Sequence, residues 1–329
     1  MLIYLQLVGG LVILLLGGDF LVRGAVALAR KFGVSPLVIG LTVVAFATSA
    51  PELIVSVEAA LDGVPGLAIG NVVGSNIANV LLVLGALALV FPIICQALSL
   101  NRDVVVMIAG SLLFVAFCWG GTLVAWQEAI LVILLIAFLI HSYVSERDDG
   151  HDHDDHGEEL DGVGVFPQST LVFFGFIGVG LIGLLFGSHI LIDGAVGIAR
   201  AWGVSETVIG LTLVALGTSL PELATTIVAV MQKHGGIAVG NVVGSNMFNI
   251  LGVMGITSLI IPVPILEQTL HFDLWIMIAA ALVLLPFAFR QIPVGRTAGL
   301  LFFVAYITVV STQFFGVPDF PVEIAHLAP

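Results

Sequence analysis

Gly40-Leu-Thr-Val-Val-Ala-Phe-Ala-Thr-Ser-Ala-Pro-Glu52 returns later in the chain as Gly210-Leu-Thr-Leu-Val-Ala-Leu-Gly-Thr-Ser-Leu-Pro-Glu222. A second segment, Gly70-Asn-Val-Val-Gly-Ser-Asn-Ile-Ala-Asn79, returns as Gly240-Asn-Val-Val-Gly-Ser-Asn-Met-Phe-Asn249. Glu222 follows Glu52 by 170 positions and Asn249 follows Asn79 by the same 170, so one unit is written twice in constant register. About half the positions between Gly17 and Gly85 match at that offset, and Ala29-Arg30 recurs as Ala199-Arg200. A repeat of this length sets the architecture before any single element is assigned.

The solvent of this repeat is lipid. Of 329 residues 59% are hydrophobic and 9% charged, which places the chain in the membrane class. Apolar stretches long enough to cross a hydrocarbon core as helices run from end to end. The expected spans are 3–23, 36–60, 67–93, 103–121, 124–144, 169–199, 206–231, 237–262, 271–289 and 297–316. The runs are too long for barrel strands and lack their alternation, so helices must satisfy the backbone and the fold class is all-α. The first stretch begins at Leu2 without a basic start and stays as a span. Cys95 and Cys118 make no ligand spacing and read as small core residues.

About ten spans divided between two copies leave five per copy. An odd number makes the second copy enter the membrane from the opposite side, so the repeat is inverted. Inverted repeats are a construction of secondary transporters, with the substrate site near the midplane where the copies meet. The expected division is a first five-helix repeat over 1–144 with its motif at 40–85, a linker over 145–167, and a second repeat over 168–329 with its motif at 210–255. A duplicated scaffold without a site is the plainer reading, but the most similar positions are polar, which packing against lipid does not favour.

Glu52 and Glu222 each lie deep inside an apolar span, where an acid without a partner costs a few kcal/mol or more. Neither has a basic residue at helical spacing nearby, so a bound cation or a proton is the remaining partner. Pro51 and Pro221 each remove a backbone donor and collide with the carbonyl four residues back, on Ala47 and Gly217, so the helix kinks or breaks beside each acid. Thr48, Ser49, Thr218 and Ser219 add hydroxyls one turn earlier. Such pairs often bond back to the preceding turn; beside Pro-Glu, and present twice, they read as ligands. Gly70 and Gly74 suit a packing face, while Ser75 and Asn79, repeated as Ser245 and Asn249, share a neighbouring face that can turn oxygen toward the acids. Asn71 and Asn76 sit on other faces and read as structural. The donor set is all oxygen, which suits Ca²⁺ or Na⁺ rather than zinc or copper.

With these residues in place, the paired Thr-Ser-x-Pro-Glu and Gly-Asn-Val-Val-Gly-Ser-Asn segments resemble the two α-repeats of the cation/calcium exchanger superfamily, nearest to prokaryotic sodium/calcium exchangers. The resemblance implies ten helices whose second, third, seventh and eighth form a central site, and antiport in which several Na⁺ run down their gradient as one Ca²⁺ leaves the cell. It implies carboxylate ligands Glu52 and Glu222, ligands from Thr48, Ser49, Thr218 and Ser219, carbonyls of Ala45 and Ala215, and Ser75, Asn79, Ser245 and Asn249 to complete the site. Some prokaryotic exchangers and the potassium-dependent branch carry Asp at the position of Asn249; Asn in both repeats here weighs against K⁺ coupling and leaves stoichiometry open. The expected partners are Ca²⁺, Na⁺ and the lipid bilayer, with no cofactor and no nucleic acid, and the oligomeric state stays open, a monomer being one possibility. Proton-coupled Ca²⁺ exchange stays open, since a buried Glu loads a proton as readily as Na⁺. An intramembrane protease built on an acid dyad leaves the repeated hydroxyls unexplained, and a channel would conduct without countertransport; the chain does not read as an enzyme.

Net charge is −13, and nine of the 22 acids fall between Glu146 and Asp161. With the N-terminus outside, Arg30, Lys31, Arg102, Arg147, Lys233, Arg290 and Arg296 all reach the cytoplasmic side of a cell membrane, together with the 145–167 loop, and the C-terminus lies outside. His151, His153 and His156 among the loop's carboxylates could bind a metal weakly, though the plain reading is a solvated tether. Deleting His151 to Glu159 is expected to leave transport intact in vesicles; loss of exchange would show that the loop takes part.

Overall fold

The computed structural model describes residues 2–93, 99–149, 170–203 and 215–315. Cys95, most of the 145–167 linker with its three histidines, and residues 204–214, which include the start of the second motif, lie outside them. The helices are α1 (Leu2–Phe32), a bent α2 (Pro36–Thr48 with Ala50–Leu61), α3 (Pro65–Val90), α4 (Ser99–Cys118) and α5 (Ala125–Asp149). The second half holds α6 (Thr170–Ala201), α7 (Ala215–Thr218 with Leu220–Met231), α8 (Gly235–Ile260), α9 (Thr269–Arg290) and α10 (Arg296–Phe315). Among the described residues seven helices are long and apolar enough to span a membrane, and the bent α2 makes eight. The chain is an all-α polytopic membrane protein.

The contact between α1 and α6 shows the inversion directly. A Cβ on Gly17 would sit 2.6 Å from the Leu184 nitrogen, and one on Gly187 2.5 Å from the Leu14 nitrogen. Exchanging each residue for its counterpart 170 positions away turns the first contact into the second. Rising numbers on α1 meet falling numbers on α6, so two copies of one helix cross antiparallel, as a two-fold axis in the membrane plane requires. Only glycine lets the backbones come this close.

The halves also interlock through their motifs. Gly240 packs on Leu37, Leu41 and Gly40, and Gly244 on Leu41 and Ala45, which seats α8 of the second half against α2 of the first. The packing role expected of the repeated glycines therefore holds for this pair. Gly70 and Gly74, of which the same packing was expected, meet nothing within 4 Å among the described residues.

Each motif helix breaks where its proline stands. Ser49 has φ −83° and ψ 2°, and Ser219 φ −85° and ψ 0°, so both leave helical geometry just before Pro51 and Pro221. The two parts of α2 meet at 41°. Widened π-helical turns cover Asn79–Leu84 and Phe248–Met254, starting at or one residue before the repeated asparagines. Such turns cluster at functional sites because they shift side chains off the regular helical register.

Some edges differ from expectation. Helix α1 runs to Phe32 rather than ending near 23, because Arg23 pairs with Asp19 at 2.7 Å along the helix and its charge does not stop the backbone. Helix α5 continues to Asp149, so residues 145–149 of the expected linker are helical. Two small backbone links were not foreseen: Thr122–Leu123 pairs antiparallel with Val263–Pro264, and Ile93 bridges Val294.

A Gly17→Val substitution is expected to lower the melting temperature of the detergent-solubilised protein, since overpacking costs about 1–3 kcal/mol. Gly9→Val, where nothing lies within 4 Å among the described residues, should leave it unchanged. Equal melting curves for the two variants would contradict the close crossing.

Candidate cation site

Two carboxylates meet at the centre. Glu52 and Glu222 are both fully buried, each in the first turn after a helix break, and the Glu222 charge acts directly on Glu52. Thr48, Ser49, Ser219, Ser75, Asn79, Ser245 and Asn249 are all buried with them, and Thr218 is partly buried. Contacts link Thr48, Ser49 and Ser245 to Glu222, Ser75 to Glu52, and Thr218 and Asn79 to asparagines of the opposite half, while Ser219 and Asn249 are buried.

The hydroxyls divide between the acids in a way that spacing alone does not give. Ser245 donates to Glu222 Oε1 at 3.4 Å, and the Thr48 and Ser49 hydroxyls of the other half face the same carboxylate but fall short of hydrogen-bonding geometry with it. The Ser75 hydroxyl faces Glu52 but falls short of hydrogen-bonding geometry. Thr48 and Ser49 therefore serve the acid of the opposite repeat as well as standing one turn before their own.

A framework of amides holds this arrangement. Thr48 Oγ1 lies 3.1 Å from Asn241 Oδ1, and Asn241 Nδ2 donates to Thr226 Oγ1 at 3.1 Å. The symmetric set is present: Thr218 Oγ1 donates to Asn71 Oδ1 at 3.3 Å, and Asn71 Nδ2 donates to Ser56 Oγ at 3.1 Å. Asn71 Nδ2 also reaches the Glu52 carbonyl at 3.3 Å. Each asparagine joins the acid-bearing helix of its own half to the Thr-Ser break of the other. Asn79 Nδ2 donates to Asn246 Oδ1 at 3.1 Å, and Asn246 Nδ2 reaches the Asn76 carbonyl at 3.4 Å, a third link across the axis.

Oxygens are left over at the centre. Ser49 Oγ, both Glu52 oxygens, Ser75 Oγ, Asn79 Oδ1, Ser219 Oγ, Glu222 Oε2 and Asn249 Oδ1 are buried and meet no hydrogen-bond partner among the described residues. Buried polar atoms are normally paired, and an unpaired one costs about 1–3 kcal/mol. A set of this size, every member from the repeated motifs, is the donor inventory of a hard-cation site. The Ser49 and Ser219 hydroxyls do not bond back to their own helices, as a purely structural Thr-Ser pair would. The Ala45 carbonyl accepts from Ser49 N at 2.9 Å and from Thr48 Oγ1 at 3.4 Å, leaving limited capacity for an ion. Ala215 opens the short helix before Thr218. Among the described residues no three His, Cys, Asp or Glu come together.

Sequence reasoning gave Asn71 only a general structural role and did not single out Ser56, Thr226, Asn241 or Asn246. The available signal was that Ser56 and Thr226, both hydroxyl-bearing, stand 170 positions apart, fifteen residues before the paired asparagines. Asp19 with Arg23 and His189 with Asp193 form ion pairs along α1 and α6, and Asp19 also accepts from Gln232 at 2.6 Å.

An inverted repeat closing on an all-oxygen acidic centre defines a secondary transporter of hard cations. The model of the family described as sodium/calcium exchanger protein matches residues 2–144 and again 172–315, and the chain belongs to that family. It is a transporter and not an enzyme. It is 36% identical to the putative antiporter CaxA of Alkalimonas amylolytica over 304 residues, covering 91% of this chain and 94% of that one. Sodium/calcium exchanger MaX1 of Methanosarcina acetivorans is 35% identical, with 93% of this chain and 98% of that one covered. A solved structure of the sodium-calcium exchanger NCX_Mj superposes with a TM-score of 0.80 at 33% identity, covering 95% of this chain and 99% of that chain.

Asn241→Ala should leave Thr48 and Thr226 without their shared partner and weaken Ca²⁺ affinity about tenfold, the equivalent of one buried hydrogen-bonded group. Equilibrium ⁴⁵Ca²⁺ binding to the purified protein checks this, and unchanged affinity would show that the amide link is not needed.

Proposed function

We propose that Glu52 and Glu222 are the carboxylates on which this sodium/calcium antiporter carries Ca²⁺ and Na⁺ by turns, Ca²⁺ leaving the cell as Na⁺ enters. The observation that carries the reading is the set of buried, unpartnered oxygens gathered around these two acids. Two carboxylates balance one Ca²⁺ or about two Na⁺, so occupancy by one ion excludes the other by charge alone. Mutual exclusion of this kind is what couples two gradients. Ser49, Ser75, Ser219, Asn79 and Asn249 supply neutral oxygens, and the hydroxyls of Thr48, Thr218 and Ser245 complete the ring while tying the halves together. The carbonyls of Ala45 and Ala215 are the weakest members of the set, since Ala45 is already engaged.

Alternating access follows from the construction. The broken α2 and α7 place the acids at flexible points between rigid half-helices, and the two-fold exchange of halves gives an inward and an outward form of one site. The basic residues favour an external N-terminus and C-terminus with the 145–167 linker in the cytoplasm of a prokaryotic cell. A single copy of the chain carries both carboxylates, so a monomer suffices, and the two repeats flank the linker as 1–144 and 168–329.

Glu52→Gln and Glu222→Gln should each reduce Na⁺-driven Ca²⁺ uptake in proteoliposomes to background while the protein still inserts. Uptake near the original rate in either variant would refute the site. Na⁺ and pH gradients imposed one at a time divide the coupling ions: uptake is expected with the Na⁺ gradient and not with the pH gradient alone, and the reverse would make the chain a proton-coupled exchanger.

A further inference from the structure

A third buried acid lies outside the repeated motifs. Glu128, in the first turn of α5, is fully buried, and neither of its carboxylate oxygens meets a hydrogen-bond partner among the described residues. No Lys or Arg occurs between Leu113 and Ile140 or between Gly255 and Leu266. Cys118, at the end of α4, is close enough to feel its charge.

The last turns of α8 pack against this part of α5: a Cβ on Gly255 would lie 3.5 Å from the Glu128 carbonyl. Two and three residues farther on, Thr257 and Ser258 are buried, and their hydroxyl oxygens are also unpartnered among the described residues. The symmetry of the fold places one of them. Gly85, the counterpart of Gly255, packs on the Gly299 carbonyl at 3.3 Å, so Gly299 occupies in the second half the place of Glu128 in the first. A Cβ on Gly299 would meet Ala88 Cβ at 2.8 Å, and Ala88 is the counterpart of Ser258. By the same two-fold relation Ser258 falls opposite Glu128. At the symmetric place the acid is glycine, and the two hydroxyl residues are Leu87 and Ala88. Among the described residues the polar cluster has no counterpart at the symmetric place; it lies at the end tied by Thr122–Leu123 and Val263–Pro264.

We propose that Glu128 and Ser258, with Thr257 beside them, form a second binding position for a monovalent cation, separate from the Glu52–Glu222 site. One carboxylate supplies one negative charge and the hydroxyls are neutral, so a single positive charge balances the cluster, whereas a divalent ion would leave an uncompensated charge buried. Oxygen donors without nitrogen or sulfur suit a hard ion of the Na⁺ class. The orientation proposed above puts this position at the external end, where it would sense the Na⁺ that drives exchange. The symmetric place on the other side, lacking the acid, would not respond.

The neighbourhood carries its own reporters. Trp126 stands two residues before Glu128, with its ring 5.7 Å from that of Phe117, and Trp119 follows Cys118 and lies 6.0 Å from Trp275. The test uses purified full-length protein carrying Glu52→Gln and Glu222→Gln, in which the central carboxylates are gone, titrated with NaCl against choline chloride at constant ionic strength and pH. A saturable change in tryptophan fluorescence is expected. It should disappear when Glu128→Gln is added and weaken about tenfold in Na⁺ affinity with Ser258→Ala and Thr257→Val, which keep the acid. Absence of a saturable Na⁺ response in the monodisperse double variant would overturn the proposal. So would a response that survives Glu128→Gln, or one produced by pH and indifferent to Na⁺, which would make Glu128 a proton carrier. Because the central acids are absent throughout, these outcomes do not depend on whether Glu52 and Glu222 carry Ca²⁺.

Discussion

Two carboxylates buried side by side, without a basic residue to neutralise them among the described residues, are the constraint on which the rest of the structure depends. Glu52 and Glu222 repel each other, and each has been removed from water. Such a pair is costly unless a positive charge joins it or protons load it. A fixed lysine or arginine would neutralise the acids permanently and leave nothing to transport. Leaving the positive charge to a mobile ion makes folding and function depend on the same vacancy of charge.

Holding the acids in place falls to neutral groups. Asn71 and Asn241 each tie the acid-bearing helix of one half to the Thr-Ser break of the other, through Ser56 and Thr218 in one case and Thr226 and Thr48 in the other. These links neutralise nothing, so they fix geometry without competing for the ion. Their composition also explains why the halves need each other: neither repeat contains a complete set of partners for its own asparagine. The glycine-lined crossing of α1 and α6 lies beside this centre and follows the same two-fold relation.

Much of this was legible in the sequence because polar residues repeated inside apolar spans have few structural excuses. The acids, the Thr-Ser pairs, the prolines and the Ser-x-x-x-Asn pairs could all be read from one alignment of the chain with itself, and the helix breaks at Ser49 and Ser219 follow from proline chemistry. The cross-half bonds of Asn71 and Asn241 were not legible, because a helical-wheel argument places residues relative to their own helix and the partners here arrive from the other repeat. The π-helical turns at Asn79 and Phe248 further displace side chains from the regular spacing such an argument assumes. Helix ends were misjudged where a charge is paired along the helix, as Arg23 is with Asp19. Glu128 escaped notice for the opposite reason to Glu52: with Gly299 in the matching place, repetition gave no signal.

The central claim is that one divalent cation sits between Glu52 and Glu222. Anomalous diffraction from crystals soaked in Sr²⁺, a heavier stand-in for Ca²⁺, tests it most directly. The account predicts a single strong peak within coordinating distance of both carboxylates and the hydroxyls around them, weakening as Na⁺ is raised. A peak held by other residues, with these two acids unoccupied, would contradict it.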